Sequence, residues 1–517
     1  MKNLVKYVLV ALTAGLLFAS MLQKRFPWME FEPLNGAVEE QPMPQLDFSS
    51  CADGSFQQQA ERHLKQNFGY REPLIRFYNQ YLWDFFHKSP IEGGQVVFGK
   101  DDWMYEPWVV SDYYQRYYLT YTDDSTKMAS LLALEARRMY QLQQILEPYG
   151  VHLFACMVPS KDLIYPEYLP PDQDTADIPK ISARFFNEAE YTRLGVNHLN
   201  LENYFLSIKD TADFMLFPKT GTHWSRYASL YAADTLIRYM EHLGDINIRN
   251  LVIGPRELAD ARDTDTDLES LMNLLRPMRK PKCYYAYTTT DGDTTAARPK
   301  MIVVGDSFWW CIALQIPLAE TFSSAPYWYY NSTIYYDKAY QSVEEVNLVD
   351  ELLSADFITL FYSSTQQYRL NNDFPRKALL ALCYDPGEID SICTALEQKI
   401  QKNPDWKNTL VKRAEAQGKS LEETVHDEAR WLIDNQPEIY LPAFHDSVPT
   451  KRSSRVKEFL GMDSAARFDW EVQRVVRELR NDQAQMEAIR QKASDNGKTE
   501  EEALLDDARW IVNHRTP

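Results

Sequence analysis

The chain has 517 residues, too many for one ordinary core, so two or three domains are expected. Its 74 acidic against 55 basic residues give a formal charge of −19, which argues against a nucleic-acid partner because phosphate binding needs a basic field. Aromatic residues make up 13 %, more than a core requires; exposed rings of this kind either stack on sugars or fill protein interfaces.

In chain order, Lys2 and Lys6 precede an apolar run from Tyr7 to Leu22, and Lys24 and Arg25 follow it. The run falls short of the ~20 residues of a standard spanning helix. Residues 1–25 are read as an uncleaved membrane anchor with the rest of the chain exported; a signal peptide cut after Phe18-Ala19-Ser20 is the alternative. Residues 26–94 form a Pro-rich spacer, Gln41 to Ser50, and then apolar residues at helical spacing from Phe56 to Phe86, interrupted near Gly69.

Residues 95–375 alternate strands and helices. Gln95 to Tyr105 reads as two short strands about a tight turn. A helix from about Lys127 to Leu146 leads into the strand Val151–Val158, and Val196–Leu201 follows as the next strand. Arg226 to Leu243 is an amphipathic helix. Met301–Val304 and Phe357–Tyr362 are apolar strands, joined through a helix near Val343–Leu353. The pattern predicts an α/β fold, a parallel sheet covered by helices on both faces.

Residues 376–517 read as all-helical. Gly418-Lys419-Ser420-Leu421-Glu422-Glu423, ahead of Asp427 to Ile433, returns 79 residues later as Gly497-Lys498-Thr499-Glu500-Glu501-Glu502, ahead of Asp506 to Val512. This is a duplicated helix–turn–helix unit, with Ser420 and Thr499 as N-caps and Glu423 and Glu502 at capping-box spacing. The six cysteines are scattered. Cys383 and Cys393 are close enough to bridge in an oxidising compartment, and Cys156 is a buried thiol. No Cys-x-x-Cys or Cys/His spacing marks a zinc site, and neither metal nor cofactor is expected.

The chemistry-bearing residues are His223, in Gly221-Thr222-His223-Trp224-Ser225, and Ser307, in Gly305-Asp306-Ser307-Phe308. The strand Met301–Val304 breaks at Gly305, which puts the Ser307 hydroxyl at the carboxyl edge of the sheet, where α/β sites are built. A neighbouring histidine would make that serine a nucleophile. Trp309 stands where a G-x-S-x-G elbow needs its last glycine, which disfavours a lipase of the α/β-hydrolase kind. Asp306 reads as a turn residue. Asn331 is either an oxyanion donor or a turn residue, and Lys161 either contacts an anionic sugar or anchors its loop.

Four segments, Gly99-Lys100-Asp101-Asp102-Trp103-Met104-Tyr105, Val158-Pro159-Ser160-Lys161 through Pro170, Thr222-His223-Trp224-Ser225 and Gly305-Asp306-Ser307-Phe308, together resemble the SGNH-hydrolase-like proteins of the AlgX/AlgJ (alginate O-acetyltransferase) and DHHW type. The resemblance implies a periplasmic polysaccharide O-acetyltransferase, in which Ser307 takes the acetyl group and His223 acts as general base. It also implies a membrane-bound O-acyltransferase (MBOAT) that supplies the acetyl group, and a sugar hydroxyl that receives it. The family places an aspartate two residues before the histidine, where this chain has Gly221. Asp213 or Glu167 then reaches the ring, or a backbone carbonyl does so, or the site has decayed to a carbohydrate-binding component of an exopolysaccharide assembly machine. An acetylesterase, with water as acceptor, would use the same residues.

Overall fold

The computed structural model describes residues 2–36, 42–89, 96–172, 179–336, 340–481 and 483–513. Met1, Gln41 and Gln95, at which three of the expected segments begin, lie outside them.

Among the described residues, eleven strands follow one another. Val97–Phe98 (β1) and Met104–Tyr105 (β2) form a small hairpin. His152–Val158 (β3) and His198–Asn200 (β4) come next, then a long ribbon of Leu251–Asp260 (β5) and Lys282–Thr290 (β6). Met301–Gly305 (β7), Tyr327–Tyr329 (β8), Thr333–Tyr335 (β9), Tyr340–Ser342 (β10) and Phe357–Ser363 (β11) complete them. Seven of these make the central sheet, in the order β10-β9-β8-β7-β11-β3-β4. From β8 through β4 all pairings are parallel; β9 and β10 add an antiparallel edge.

The centre of the sheet is buried on both faces, as its near-continuous apolar strands require. Alternation divides each strand between two cores. Leu153, Ile302, Val304, Ile358 and Leu360 face one cluster, with Met139 and Leu142 of the helix Ser125–Leu146. Phe154, Met301, Val303, Phe357 and Phe361 face the other, with Leu230, Leu236 and Met240 of the helix Arg226–Gly244. This mixed α/β architecture, a central sheet flanked by helices, is what the sequence pattern led us to expect. The expected helix near Val343–Leu353 is instead a 3-10 turn, Val343–Glu345, followed by the short helix Leu348–Leu353. Asn347 breaks it by capping the second piece, its side chain accepting from the Asp350 N–H.

The β5–β6 ribbon and the edge strands β8–β10 are elements that the sequence did not reveal. β5 is largely exposed and β8, β9 and β10 have three residues each, so none writes a long two-residue apolar alternation into the chain.

At the N-terminus, Lys2–Arg25 is a helix, and among the described residues no helix is long and apolar enough to cross a membrane. The end of that helix packs on protein: the Gly69 N–H donates to Ser20 Oγ at 3.1 Å, and a Cβ at Gly69 would lie 2.2 Å from the Ser20 carbonyl oxygen. Cys383 and Cys393, close enough in sequence to bridge, are both free thiols, as are the other four cysteines. Cys393 lies on the helix Pro386–Lys402 with its Sγ turned to Glu397 Oε1, 3.7 Å away.

Candidate active site

Ser307 follows β7 at the carboxyl edge of the sheet and precedes the helix Phe308–Ala313. Its turn is held by Asp306, whose Oδ2 accepts from the Ser363 N–H (2.7 Å) and hydroxyl (2.6 Å), and whose Oδ1 accepts from the Phe308 N–H (3.1 Å). Asp306 is thus a fully engaged turn acid that ties β7 to the end of β11. Burial raises its pKa, and these hydrogen bonds work against the rise.

His223 reaches this edge from the loop before the helix Arg226–Gly244. Its Nε2 is 2.8 Å from Ser307 Oγ, and its Nδ1 is 2.5 Å from Asp267 Oδ2. An ionised carboxylate can only accept, so Nδ1 carries the proton and Nε2 is left to accept from the serine hydroxyl. The other oxygen, Asp267 Oδ1, accepts from the Thr222 N–H at 2.7 Å. One carboxylate therefore fixes both the ring and the backbone beside it.

Both ring nitrogens are taken, and neither expected acid is among their partners. Asp213 forms an exposed two-pronged pair with Arg256, at 2.6 and 2.5 Å, and Glu167 pairs with Lys209 at 3.0 Å. Asp267 opens the helix Asp267–Leu271, within the connection between β5 and β6. Sequence reasoning missed it because it lies 44 residues beyond His223, outside every motif. The acid-rich run Asp263-Thr264-Asp265-Thr266-Asp267 before Leu268 was the available signal.

That connection is bound tightly to the histidine loop. Thr220 Oγ1 donates to the Asp265 carbonyl oxygen at 2.9 Å, and the Glu269 N–H donates to the Thr220 carbonyl oxygen at 3.1 Å. Lys161 closes the loop from below. Its ammonium is buried and donates to the carbonyl oxygens of Met104 (2.7 Å), Lys219 (2.9 Å) and Gly221 (2.9 Å). This is an anchoring role, with no donor left for a sugar; burial pulls its pKa well down, against Asp267 and Glu106, which favour the charged form. Asn331 is a turn residue at φ 51°, donating to the Asn372 carbonyl oxygen at 2.9 Å, and it does not line the pocket.

The pocket at Ser307 has a volume of about 270 Å³. Trp108, Tyr117 and Tyr330 give it aromatic walls, and Glu106, Gln366 and Arg369 give it polar ones. Glu106 Oε2 accepts from Thr222 Oγ1 (2.8 Å) and Trp108 Nε1 (3.0 Å), and burial pushes its pKa up to about 7. For His223, burial of the ring opposes the charged form. The charge and hydrogen bond of Asp267, with Glu106 and Asp306 behind them, outweigh it and raise the pKa above the usual imidazole value.

A family model described as "SGNH hydrolase-like domain, acetyltransferase AlgX" matches residues 96–309. The matched segment resembles SGNH-hydrolase-like acetyltransferase domains, and it contains both Ser307 and His223. No curated protein matches the sequence. Among solved structures, the O-acetyltransferase domain of Pseudomonas putida AlgJ is 16 % identical, with 55 % of this chain and 98 % of that one covered, at a TM-score of 0.36. Pseudomonas aeruginosa AlgX is 15 % identical, with 55 % and 58 % covered and a TM-score of 0.30. Bacillus cereus PatB1 is 13 % identical, with 46 % and 91 % covered and a TM-score of 0.30. At these TM-scores nothing about fold or chemistry rests on the three.

Proposed function

We propose that this protein is an exported polysaccharide O-acetyltransferase that works through a Ser307–His223–Asp267 triad. The observation that carries the reading is the unbroken hydrogen-bonded line from Asp267 Oδ2 through the imidazole to Ser307 Oγ, with steps of 2.5 and 2.8 Å. It supplies the orienting acid that Gly221 cannot, and so weighs against a decayed site.

In the reaction, His223 Nε2 takes the hydroxyl proton as Ser307 Oγ attacks the acetyl carbonyl carbon. The leaving group departs with that proton, and acetyl-Ser307 remains. A sugar hydroxyl then attacks the acetyl carbon and passes its proton to Nε2. Collapse breaks the Oγ–acyl bond, and His223 returns the proton to Ser307. Asp267 holds the ring in the required tautomer throughout. The Ser307 N–H has no acceptor among the described residues and is the donor on the nucleophile's own residue for the oxyanion. Trp108, Tyr117 and Tyr330 are the surfaces on which an acceptor ring would stack. The acetyl donor in this reading is a membrane-bound O-acyltransferase, acting from across the membrane on a periplasmic acceptor chain.

The test is acetyl release from p-nitrophenyl acetate, with and without oligosaccharide acceptors, by the wild type and by Ser307→Ala and His223→Ala. Loss of release in both variants, with acetylated sugar formed by the wild type, supports the transferase. Release without any acetylated sugar makes the protein an acetylesterase. Equal background rates in three folded proteins would overturn the catalytic reading.

A further inference from the structure

The duplication in the C-terminal region is larger than the two motifs that disclose it, and one corner of it differs in kind. The helices Pro386–Lys402, Pro404–Gln417 and Leu421–Asn435 recur 79 residues later as Ser464–Asn481, Gln483–Asn496 and Glu500–Asn513. Each unit is thus three helices, and their cores correspond position by position. Leu396, Ile400, Leu410, Ala414, Val425 and Ala429 in the first match Val475, Leu479, Ile489, Ala493, Leu504 and Ala508 in the second.

Where the first and third helices of the second unit meet, Val472, Val476 and Leu505 belong to this apolar cluster. The same three positions in the first unit are Cys393, Glu397 and His426. Three apolar residues in one copy are three metal-ligating residues in the other, and the fold brings them together. His426 Nδ1 is 2.7 Å from Glu397 Oε1, Cys393 Sγ is 3.7 Å from the same oxygen, and all three ligand atoms lie within 4.8 Å of one another.

We propose that Cys393, Glu397 and His426 bind a zinc-class divalent cation, with water as the fourth ligand on the exposed His426 side. One thiolate, one imidazole and one carboxylate are the sulfur, nitrogen and oxygen donors that such an ion takes. Bond lengths of 2.0–2.3 Å in a tetrahedral site set ligand atoms roughly 3.3–3.5 Å apart. The Cys393–Glu397 separation is already close to that, and the exposed imidazole moves out by about half an ångström to reach it. Cys393 and Glu397 are one turn apart on one helix, and His426 lies on another. A bound ion therefore ties the first helix of the unit to the third, and the thiol proton is released on binding. The local spacing rules that find zinc sites miss this one, because His426 is 29 residues beyond Glu397.

The experiment uses the full chain stripped with a chelator and titrated with Co²⁺ and then Zn²⁺. One equivalent of Co²⁺ should give a thiolate-to-metal absorption band that Zn²⁺ displaces, and Zn²⁺ should raise the melting temperature. Cys393→Val should abolish the band. His426→Leu should weaken Zn²⁺ binding by more than the 10- to 100-fold, roughly, that loss of an outer-shell partner costs. Cys393→Val/Glu397→Val/His426→Leu reproduces a packing that the second unit already uses, so it should fold and show no Zn²⁺ stabilisation. Absence of a thiolate band in the wild type, or equal Zn²⁺ stabilisation in the wild type and the triple variant, overturns the site.

Discussion

The carbonyl oxygen of Thr264 occupies the space beside Gly221 into which a side chain would have to grow: a Cβ there would lie 2.6 Å from that oxygen and 2.9 Å from Pro218 Cγ. The segment that crowds position 221 is the one that delivers Asp267 to the histidine. An acid at 221 and an acid at 267 are therefore alternatives, since the backbone that supplies the second leaves no room for the first.

It follows that the two positions cannot rescue each other. Asp267→Asn should lower kcat for acetyl release by about 10³–10⁴-fold, because an amide in that place lets the ring settle in the wrong tautomer. Gly221→Asp placed in that background should restore nothing. It should also lower stability by roughly 1–3 kcal/mol through overpacking. Single-turnover rates and denaturant unfolding of the two variants check both statements; recovered activity in the double variant would mean that the 263–267 turn moves aside.

In the proposed reaction the acid limb of the pH–rate profile belongs to His223, which must be neutral to act as base. Its pKa is raised above the usual imidazole value, so activity should fall as pH drops through a midpoint above that value. Glu106 is one of the negative charges that hold it up. Glu106→Gln should therefore move the limb to lower pH, with the plateau rate changed by less than about tenfold if the carboxylate acts only through charge. An unshifted limb would show that Glu106 is already neutral in the working enzyme.

Lys161 is conspicuous in sequence as a charge in a chemistry-bearing segment, but the structure makes it a brace. Lys161→Met takes the donor from the buried carbonyl oxygens of Met104 and Gly221, while that of Lys219 keeps the Met104 N–H at 3.0 Å. The expected cost is about 3 kcal/mol of stability or more, with kcat reduced through the loosened histidine loop. Denaturant unfolding measures the first; loss of activity with stability unchanged would return Lys161 to a substrate role.

Much of this site was legible in the sequence for a simple physical reason. Ser307 and His223 each sit where a buried apolar element gives way to a polar turn, and buried elements write their period into the chain. The strands β3, β7 and β11 and the helices Ser125–Leu146 and Arg226–Gly244 appear within a residue or two of their expected bounds. Asp267 was illegible because it opens a five-residue helix in the connection between two strands, too short to write an apolar period. Glu106, Trp108 and Arg369 were illegible because a pocket wall is assembled from separate loops, a tertiary fact.

Glu202 offers a test of the core free of the catalytic reading. Its carboxyl is wholly buried, with Oε1 lacking a hydrogen-bond partner. Burial, only partly countered by Arg184, pushes its pKa up from 4.5 to about 8. The folded state therefore holds a proton that the unfolded chain releases. Its contribution to stability is full below pH 4.5 and is lost as pH rises through about 8. Glu202→Gln removes that dependence. The variant should match the wild type near pH 5 and exceed it by on the order of 2–4 kcal/mol above pH 8, most of the gain appearing in between. Urea unfolding across that range is the measurement, and a constant difference at every pH would show that Glu202 stays ionised in the fold.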